Sequence, residues 1–381
     1  MKKLLVGISS EKNIGLIEGQ LEYFADQGYK TYLLAPDHPR VKEYCEKEGC
    51  VHLPARLERE IAPLKDIQAF FQILRHFGRT KPDIINLGTQ KVSLLGMIAA
   101  WFVGINYRIY TSRGFSPITY TGIKKHLLLS SNKIISKISH KTICISKSIQ
   151  ENGIKYGFYT PENSIVIHKG SSNGINLERF DPAKITEDSK NKLKERLGFN
   201  TSEFIFGYVG RLVDRKGINE LYAAFDLLYR EDSKIRLLFI GPIEEIQIRD
   251  KSLVSKIKNH PGIIYYGSVS PEEVPLYLSI MNVMVLPAHW EGFGNVLIQA
   301  AAMGVPVIST KALGTINAVN DGFNGILVEP KNVNELKEAM RTMLSDKNLR
   351  DKYGKNGIEW AKNFERTIIW EGMHKVYNKI L

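Results

Sequence analysis

The sequence predicts the α/β fold class, with two domains that each hold a parallel β-sheet covered by helices on both faces. The chain has 381 residues, enough for two domains of ordinary size, and 43% of them are hydrophobic against 24% charged. Short apolar runs alternate with helical patterns along most of the chain, and this alternation is typical of parallel sheets. Two such sheets facing each other would leave a cleft between them.

The first series of elements begins close to the N-terminus. Strands are predicted at residues 3–8, 29–35, 82–87, 107–111, 142–146 and 165–168. Helices are predicted at residues 16–27, 64–77, 92–103 and 118–140. Gly28 closes the first helix and Pro36 stops the second strand. The turn-rich segment 170–181 is the best domain boundary, so the first domain is predicted to comprise residues 1–175.

The second series, in the predicted domain 176–365, has the same alternation. Strands are predicted at residues 204–210, 235–240, 263–266, 283–286 and 305–308. Helices are predicted at residues 184–197, 218–229, 295–304, 335–344 and 349–363, with a last helix at 368–380. We therefore expect a second parallel sheet.

Composition excludes several classes of protein. The three cysteines, Cys45, Cys50 and Cys144, form no CxxC pair, which suggests a reducing compartment and no zinc site. The apolar run after Met1 is too short for a signal peptide and fits a first buried strand. The longest apolar run, 94–105, is well short of a transmembrane span. We expect neither a membrane-crossing helix nor export.

The positive charge is concentrated in one segment. The net charge is +12, and residues 84–150 contain nine Lys or Arg and no Asp or Glu. These cations are Lys91, Arg108, Arg113, Lys124, Lys125, Lys133, Lys137, Lys141 and Lys147. Because Ile, Leu and Tyr lie between them, the segment suits anionic lipid head groups or a lipid-linked phosphate. A solvated surface and a nucleic-acid site are the alternatives, although no nucleic-acid-binding signature accompanies the charge.

A glycine-containing turn follows the predicted strand 283–286 and precedes the predicted helix 295–304. Its glycines, Gly292 and Gly294, allow backbone amides to approach a ligand, and a helix N-terminus favours phosphate. Glu291 in this turn would repel phosphate but suits a hydroxyl-rich group such as a sugar. The alternative is that Glu291 only stabilises the first turn of the helix.

A pair of cations follows the predicted strand 204–210. Arg211 and Lys216 lie five residues apart, so both can meet a diphosphate, Arg211 through its fork and Lys216 as a point charge. Two solvated cations ahead of a helix are the alternative. No D-x-D pair and no His/Cys metal spacing occurs, so these cations would take the place of a magnesium ion. The lack of GxGxxG after the first strand argues against a dinucleotide.

Together these motifs resemble the retaining GT-B glycosyltransferases of family 4, over the whole chain. GRLVDRKG (210–217) and PAHWEGFGNVLIQAAAMGVPVIST (287–310) are similar to the donor-site signatures of that family, and VNDGFNGILVEP (319–330) is similar to the segment that follows them. GSSNGINLERF (170–180) and RIYTSRGF (108–115) resemble the branch that builds capsule and O-antigen repeat units. The resemblance implies two facing Rossmann-like domains, with the C-terminal helix 366–381 packed back on the first.

The resemblance also implies roles for individual residues. Arg211 and Lys216 would hold the donor diphosphate, and Glu291 would contact the hydroxyls of the donor sugar. The remaining donor-binding positions implied are Val269, Gly292, Phe293, Gly294, Asn295, Val296 and Gln299. The resemblance implies no cofactor, because the nucleotide sugar is a substrate. Activity is expected to be independent of metal.

Three positions depart from the family pattern. Gln299 stands where the family has a second glutamate that meets the ribose, so two hydrogen bonds remain possible but the charge is lost. Arg113 lies in the segment where many members carry a histidine. Arginine cannot act as a base at neutral pH, but it can stabilise a leaving diphosphate or bind an acceptor phosphate. Gly15 is the remaining candidate for the family's glycine loop after the first strand.

The resemblance implies transfer of a hexose or N-acetylhexosamine from a nucleotide donor, with UDP expected, to a lipid-linked saccharide on polyprenyl diphosphate. The expected location is the cytoplasm, peripheral on the inner face of the membrane, with no nucleic-acid partner. Two alternatives stay open. One is a GT-B nucleotide-sugar epimerase, against which the single carboxylate Glu291 argues. The other is a non-catalytic nucleotide-sugar-binding subunit, which Gln299 and Arg113 keep possible.

Overall fold

The computed structural model describes residues 1–58, 62–114, 122–200 and 203–380. The chain divides into two compact units. The first unit comprises Met1–Gly174 and Thr367–Leu381, and the second comprises Ile175–Arg366.

The described part of the first unit holds a seven-stranded parallel sheet with the strand order β3-β2-β1-β4-β5-β6-β7. Its strands are β1 (Lys2–Gly7), β2 (Tyr29–Ala35), β3 (Val51–Pro54), β4 (Ile84–Leu87), β5 (Tyr107–Ser112), β6 (Lys141–Cys144) and β7 (Ser164–Val166). Its helices are α1 (Gln20–Asp26), α2 (Pro39–Lys47), α3 (Pro63–Thr80), α4 (Gln90–Val103), α5 (Gly122–Ile138) and α6 (Lys147–Lys155), with a 3-10 helix at Glu11–Leu16.

The described part of the second unit holds a six-stranded parallel sheet with the strand order β10-β9-β8-β11-β12-β13. Its strands are β8 (Phe204–Val209), β9 (Ile235–Ile240), β10 (Ile263–Gly267), β11 (Val283–Leu286), β12 (Val307–Thr310) and β13 (Gly325–Val328). Its helices are α7 (Glu187–Arg196), α8 (Ile218–Tyr229), α9 (Ser252–Asn259), α10 (Val274–Ser279), α11 (Asn295–Ala302), α12 (Thr315–Ala318), α13 (Val333–Ser345) and α14 (Lys347–Ala361). The predicted α/β fold with parallel sheets is confirmed.

The core of the first unit lies on both faces of its sheet. On one face, Ile73, Phe77 and Met97 of α3 and α4 pack against alternate strand residues. On the other face, Leu21 and Phe24 of α1 pack against the opposite set of strand residues. A strand covered on both faces reads as a continuous apolar run, which is why these strands were predictable.

The last helix, α15 (Arg366–Ile380), packs on the first unit. Its residues Ile369, Met373 and Tyr377 belong to the same buried cluster as α1. Trp370 donates its indole N–H to Asn173 at 2.8 Å, and Asn86 of β4 donates to the Tyr377 hydroxyl at 2.7 Å. The end of the chain is therefore part of the core of the first unit.

The predicted helix 16–27 is wrong in its first turn. Residues Glu11–Leu16 form a 3-10 helix, and α1 begins at Gln20 after Gly19, whose φ is +77°. The Glu48 carboxylate accepts hydrogen bonds from the amides of Gly19 at 2.6 Å and Leu21 at 3.2 Å, so it satisfies the free N–H groups at the start of α1. This cap comes from a distant loop and leaves no local sequence signal.

Other boundaries differ from the prediction by a few residues. The strand predicted at 305–308 is β12, Val307–Thr310, and α7 is shorter than the predicted helix 184–197. Several short elements have no counterpart in the prediction: α2, α6, α9, α10, α12, β3 and β13. The helix predicted at 118–140 is described from Gly122 to Ile138, and residues 115–121, with the end of the motif 108–115, lie outside the described residues.

Each sheet has one topological switch point, where strand addition reverses direction. It lies between β1 and β4 in the first unit and between β8 and β11 in the second. Ligands of open α/β sheets bind at the carboxyl ends of the strands at such points. Within the described ranges, no helix combines the length and the apolar character that spanning a membrane requires.

Candidate functional site

The loops after β8 and β11 meet at the switch point of the second sheet. Gly217 in the first loop has a φ of +73°, and a Cβ atom there would lie 1.9 Å from the carbonyl oxygen of Pro287 in the second loop. The amide of His289 donates to the carbonyl of Arg215 at 2.8 Å. Only glycine permits this close approach, so Gly217 brings the segments 210–217 and 287–295 together.

Lys216 and Glu291 form an ion pair between these two loops. Their side chains are 12% and 13% exposed. A second cation, Arg215, places Nη1 3.6 Å from the same Glu291 oxygen and stacks its guanidinium over the Trp290 ring, 4.8 Å from the ring centroid. Two cations therefore converge on one carboxylate, and this cluster carries a surplus of positive charge that suits an anionic ligand.

A second polar pair ties the β11 loop to α8. Nε2 of His289 lies 2.9 Å from Oε1 of Glu220 in the first turn of α8. Burial is the largest influence on the pKa of Glu220 and acts to raise it. The hydrogen bond with His289, a backbone hydrogen bond and the charges of His289 and Lys331 together outweigh burial and hold that pKa below the ordinary carboxyl value. The pair holds residue 289 in place next to the Lys216–Glu291 contact.

The structure places Arg211 with a different carboxylate. Its Nη1 lies 2.9 Å from both oxygens of Glu244, which follows β9. The Tyr208 hydroxyl donates to the Arg211 carbonyl at 2.7 Å, so the start of this loop is held on both sides. Arg211 and Lys216 thus share a loop but have separate partners, Glu244 and Glu291.

The remaining predicted residues of the β11 turn lie at the start of α11. Gly294 has a φ of +86° and is the N-cap of the helix. Phe293 is buried, with its ring centroid 5.4 Å from that of Phe364, so it can offer a ligand only its backbone. The partly exposed positions at the start and middle of α11 are Asn295, Val296 and Gln299. Their helical spacing places them on one side of α11, next to the turn.

A third loop supports this turn from behind. The amide of Glu291 donates to the carbonyl of Leu313 at 2.8 Å. Gly314, with a φ of +88°, comes so close that a Cβ atom there would lie 2.3 Å from the Glu291 carbonyl oxygen. The backbone of residues 291–292 is therefore held in place by the loop at 313–314. Val269 lies elsewhere on this sheet edge, partly exposed in the loop after β10.

Arg113 lies in the first unit, directly after β5. Its Nη1 donates to the carbonyl of Leu16 at 2.8 Å and contacts the Ser172 hydroxyl. A Cβ atom on Gly88 would lie 2.3 Å from its Nε, so glycine leaves the space that the guanidinium occupies. Burial lowers the pKa of Arg113 to about 10, which leaves the group protonated at neutral pH.

Gly15 lies in the 3-10 helix after β1, exposed and without close neighbours at its Cβ position. The loops at this switch point are joined by Ser9, which receives a hydrogen bond at its hydroxyl from the amide of Val92 at 3.1 Å and contacts the Thr89 hydroxyl at 2.7 Å. Nothing in this packing requires glycine at position 15.

No group of three His, Cys, Asp or Glu side chains is arranged to hold a metal ion in the described ranges of the chain.

Family models match most of the chain. A model described as glycosyl transferases group 1 matches residues 189–360, and one described as glycosyltransferase family 4 matches residues 17–179. The capsular polysaccharide biosynthesis glycosyltransferase CapM of Staphylococcus aureus is 33% identical over 382 residues, which cover 100% of this chain and 98% of CapM. The chain belongs to the family 4 glycosyltransferases. The resemblance seen in the sequence is confirmed, and the protein is an enzyme of the transferase class.

Two further comparisons agree with this assignment. The transferase is 24% identical to the UDP-Gal:alpha-D-GlcNAc-diphosphoundecaprenol alpha-1,3-galactosyltransferase of Escherichia coli, over 96% of this chain and 93% of that enzyme. The crystal structure of Anabaena Alr3699/HepE in complex with UDP and glucose superposes with a TM-score of 0.83 at 18% identity, covering 100% of both chains. This likeness concerns the fold, and the predicted GT-B fold class is confirmed.

Sequence reasoning missed several residues of the candidate site. Arg215 stands inside a motif that was recognised, but only its contact with Glu291 shows that it belongs to the charged cluster. Glu220, Glu244 and Gly314 lie on separate elements, and no spacing in the sequence links them to the β11 turn. The motif cations could have predicted that carboxylate partners exist. The sequence alone could not have shown which glutamates these partners are.

Proposed function

We propose that this transferase moves a hexose or N-acetylhexosamine from a UDP-sugar to a lipid-linked saccharide on polyprenyl diphosphate, with retention of configuration, in the synthesis of a surface polysaccharide such as capsule or O-antigen. The observation that carries the proposal is the cluster of Lys216, Arg215 and Glu291 at the switch point of the second sheet. This cluster joins two cations to one carboxylate beside a helix N-terminus, the combination that a sugar diphosphate needs.

The donor would divide its groups among these side chains. Its diphosphate would bind Lys216 and the first amides of α11. Arg211 would either leave Glu244 to bind the diphosphate or bridge Glu244 and the diphosphate. Its sugar hydroxyls would take Glu291, whose carboxylate exchanges part of its contact with Lys216 for hydrogen bonds from the sugar. Gln299 would bind the ribose, and the backbone near Val269 would meet the base. Each group of the donor would thus meet a side chain or amide of matching chemistry.

The chemistry would need no protein nucleophile. As the bond between the anomeric carbon and the phosphate oxygen breaks, the bonding electron pair stays with the phosphate and the sugar ring becomes positively charged. Lys216 and the amides of α11 would stabilise the negative charge that develops on the phosphate. The incoming hydroxyl would attack from the same face and give its proton to the departing phosphate, so configuration is retained.

The relatives support the acceptor and the pathway. CapM of Staphylococcus aureus is described as an enzyme of capsular polysaccharide biosynthesis. The Escherichia coli relative is described as using UDP-Gal and a diphosphoundecaprenol-linked sugar, and as forming an alpha-1,3 linkage. Because UDP-galactose is itself an α-glycoside, an alpha product corresponds to retention. A lipid-linked acceptor also fits the proposed location, cytoplasmic and peripheral on the inner face of the membrane.

Arg113 would act at the acceptor or at the leaving group. It is a buried cation that, among the described residues, forms no ion pair with a carboxylate. Such a charge is costly to bury unless an anion meets it in the working enzyme. A phosphate of the acceptor or of the departing nucleotide supplies that anion.

The test is a screen of UDP-hexoses and UDP-N-acetylhexosamines with a polyprenyl-diphosphate-sugar acceptor, run with and without EDTA. We expect transfer that EDTA leaves unchanged, because fixed cations stabilise the leaving group in place of a metal ion. Loss of transfer in EDTA, restored by magnesium or manganese, would contradict metal independence.

Incubation with the donor alone distinguishes the nearest alternative. A GT-B epimerase would convert the UDP-sugar into its epimer without acceptor, whereas the proposed transferase would leave the donor intact. Binding of UDP-sugar with no transfer to any acceptor would instead favour a donor-binding subunit.

A further inference from the structure

The outer surface of α3, α4 and α5 exposes a set of large apolar side chains. In the described part of the chain, eight such residues lie on these three helices: Leu64, Ile67, Phe71, Trp101, Phe102, Ile123, Leu127 and Ile134. Phe71, Trp101 and Phe102 are 62%, 59% and 65% exposed. Single exposed apolar residues are ordinary, but a group on adjacent helices marks a surface that another body covers. We call this surface, formed by the eight residues, the α3–α5 face.

The α3–α5 face is continuous from one helix to the next. α3 packs beside α4 and α4 beside α5, and all three contribute to the cluster on one side of the first sheet. The Phe70 ring centroid lies 5.6 Å from that of Phe71 and 6.2 Å from that of Phe102. The ring centroids of Trp101 and Phe102 are 5.1 Å apart. An aromatic ridge therefore crosses from α3 to α4 on the side away from the sheet.

The charge on the same helices is predominantly positive. Their sequences contain eight Lys or Arg residues and one acid, Asp66, whose carboxylate pairs with Lys91 at 2.7 Å. Lys65 of α3 is exposed and pairs with Glu58, just ahead of the helix, at 2.7 Å. The other exposed cations on α3 and α5 are Arg75, Arg79, Lys133 and Lys137. Apolar and aromatic residues surrounded by cations complement a surface that has an apolar interior and anionic head groups.

The same charge argues against a second copy as the occupant. In a two-fold dimer the α3–α5 face would meet its own image, and the exposed cations of one copy would lie near those of the other. Asp66 is the single carboxylate available on these helices and is already paired. Like charges brought together in this way oppose association.

We propose that the α3–α5 face docks on an anionic lipid bilayer, with Phe71, Trp101 and Phe102 inserted at the level of the head groups and the exposed cations on lipid phosphates. Tryptophan and phenylalanine are the residues that favour this depth. The proposal rests on the peripheral location proposed above and specifies its surface. It adds α3, which lies outside the basic segment 84–150.

The test is flotation of the full-length protein with vesicles of phosphatidylcholine alone or with phosphatidylglycerol added. We expect binding that requires the anionic lipid. Binding should fall at least about tenfold in Phe71→Ser/Trp101→Ser, which removes inserted rings. It should fall by a similar factor in Lys133→Glu/Lys137→Glu, which reverses two charges. Leu227→Ser/Ile246→Ser changes exposed apolar residues of the second unit, and Lys375→Glu/Lys379→Glu reverses two charges at the same spacing on α15. Both controls should bind as the wild type does.

Quenching by brominated lipid chains separates insertion from surface attraction. Tryptophan fluorescence should be quenched in the wild type, and this quenching should be lost in Trp101→Phe while flotation is retained. Vesicle binding that is equal in Phe71→Ser/Trp101→Ser and in the wild type would overturn the proposal. A wild type that binds no vesicles but forms a dimer, with the dimer lost in the same variant, would also overturn it. Because flotation needs neither donor nor acceptor, its failure would leave transfer activity untouched. Circular dichroism and thermal unfolding that match the wild type show that the fold of each variant is intact.

Discussion

Lys216 and Glu291 are close partners although 74 intervening positions separate them in the sequence, and this contact is the smallest unit of the proposed mechanism. Each was identifiable because it follows a buried strand and therefore lies at the ligand edge of a sheet. What the sequence could not reveal is that the two side chains satisfy each other. The Glu291 carboxylate keeps Lys216 in position, and a bound donor would compete for both side chains.

Replacement of Lys216 by alanine tests its role. We expect Lys216→Ala to lower turnover by about two to three orders of magnitude, the scale of losing one preorganised electrostatic contact. Lys337→Ala is the matched control, since the Lys337 side chain on α13 is 18% exposed and also forms an ion pair, with Glu231 at 2.7 Å. Steady-state kinetics with saturating donor gives the comparison. Near-wild-type turnover in Lys216→Ala would remove this residue from the mechanism.

Replacement of Arg113 is predicted to lower activity without lowering stability. Burial without a carboxylate partner makes its charge costly in the unliganded state, as the lowered pKa of about 10 indicates. Arg113→Met should therefore unfold at the same temperature as the wild type or a higher one, while turnover falls at least about tenfold. Thermal unfolding and kinetics on the same sample check both. A melting temperature several degrees lower would mean that Arg113 serves the fold.

The Glu220–His289 pair predicts a pH dependence. Since the folded-state pKa of Glu220 lies below its unfolded value, its contribution to stability is present above the ordinary carboxyl pKa and is lost as the pH falls through the folded value. Glu220→Gln should lower the free energy of unfolding by about 1 kcal/mol at pH 7, and the difference should shrink as the pH falls below about 4, toward zero at about pH 3. Urea unfolding at both pH values measures this.

Glu272→Gln supplies the control for that measurement, because Glu272 is exposed in the loop after β10. It makes the same change of charge on an exposed side chain away from the Glu220–His289 pair. If the stability difference between Glu220→Gln and the wild type grew on acidification, the lowered pKa of Glu220 would be contradicted.

At the scale of elements, the strands and long helices were predictable and the short capped elements were not. β2, α8, β9 and β11 have the predicted bounds because each is an apolar run or a one-sided helix with a clear stop. α12 has four residues and α10 has six, too short for a helical period to be seen. The start of α1 depends on Glu48, a residue more than one element away.

The meeting of two loops at Gly217 is an element-scale feature that can be measured. Gly198 has almost the same φ, +74° against +73°, but open space at its Cβ position, whereas Gly217 faces the Pro287 carbonyl. Gly198→Ala should cost about 1 kcal/mol for the left-handed backbone, and Gly217→Ala should cost at least about twice that. Denaturant unfolding gives both values. Equal costs would mean that the loops separate easily and that their contact does not position the site.

At the scale of the molecule, the order of strands in the second sheet explains where the candidate site lies. Strand order places the loops after β8 and β11 side by side, and those loops carry the charged cluster that we propose binds a sugar diphosphate. The motifs were visible in the sequence because they are contiguous. The supporting carboxylates Glu244 and Glu220 were not visible, since only the folded sheet brings separate loops to one edge.

The central claim is that fixed cations and amides of the second unit bind the donor through its diphosphate. Titration calorimetry of UDP and UMP in the presence of EDTA, with wild type and Lys216→Ala, tests it most directly. The wild type should bind UDP at least about tenfold more tightly than UMP, and this ratio should fall toward one in Lys216→Ala. Equal affinity of the wild type for the two nucleotides, or a ratio that survives the loss of Lys216, would contradict the claim.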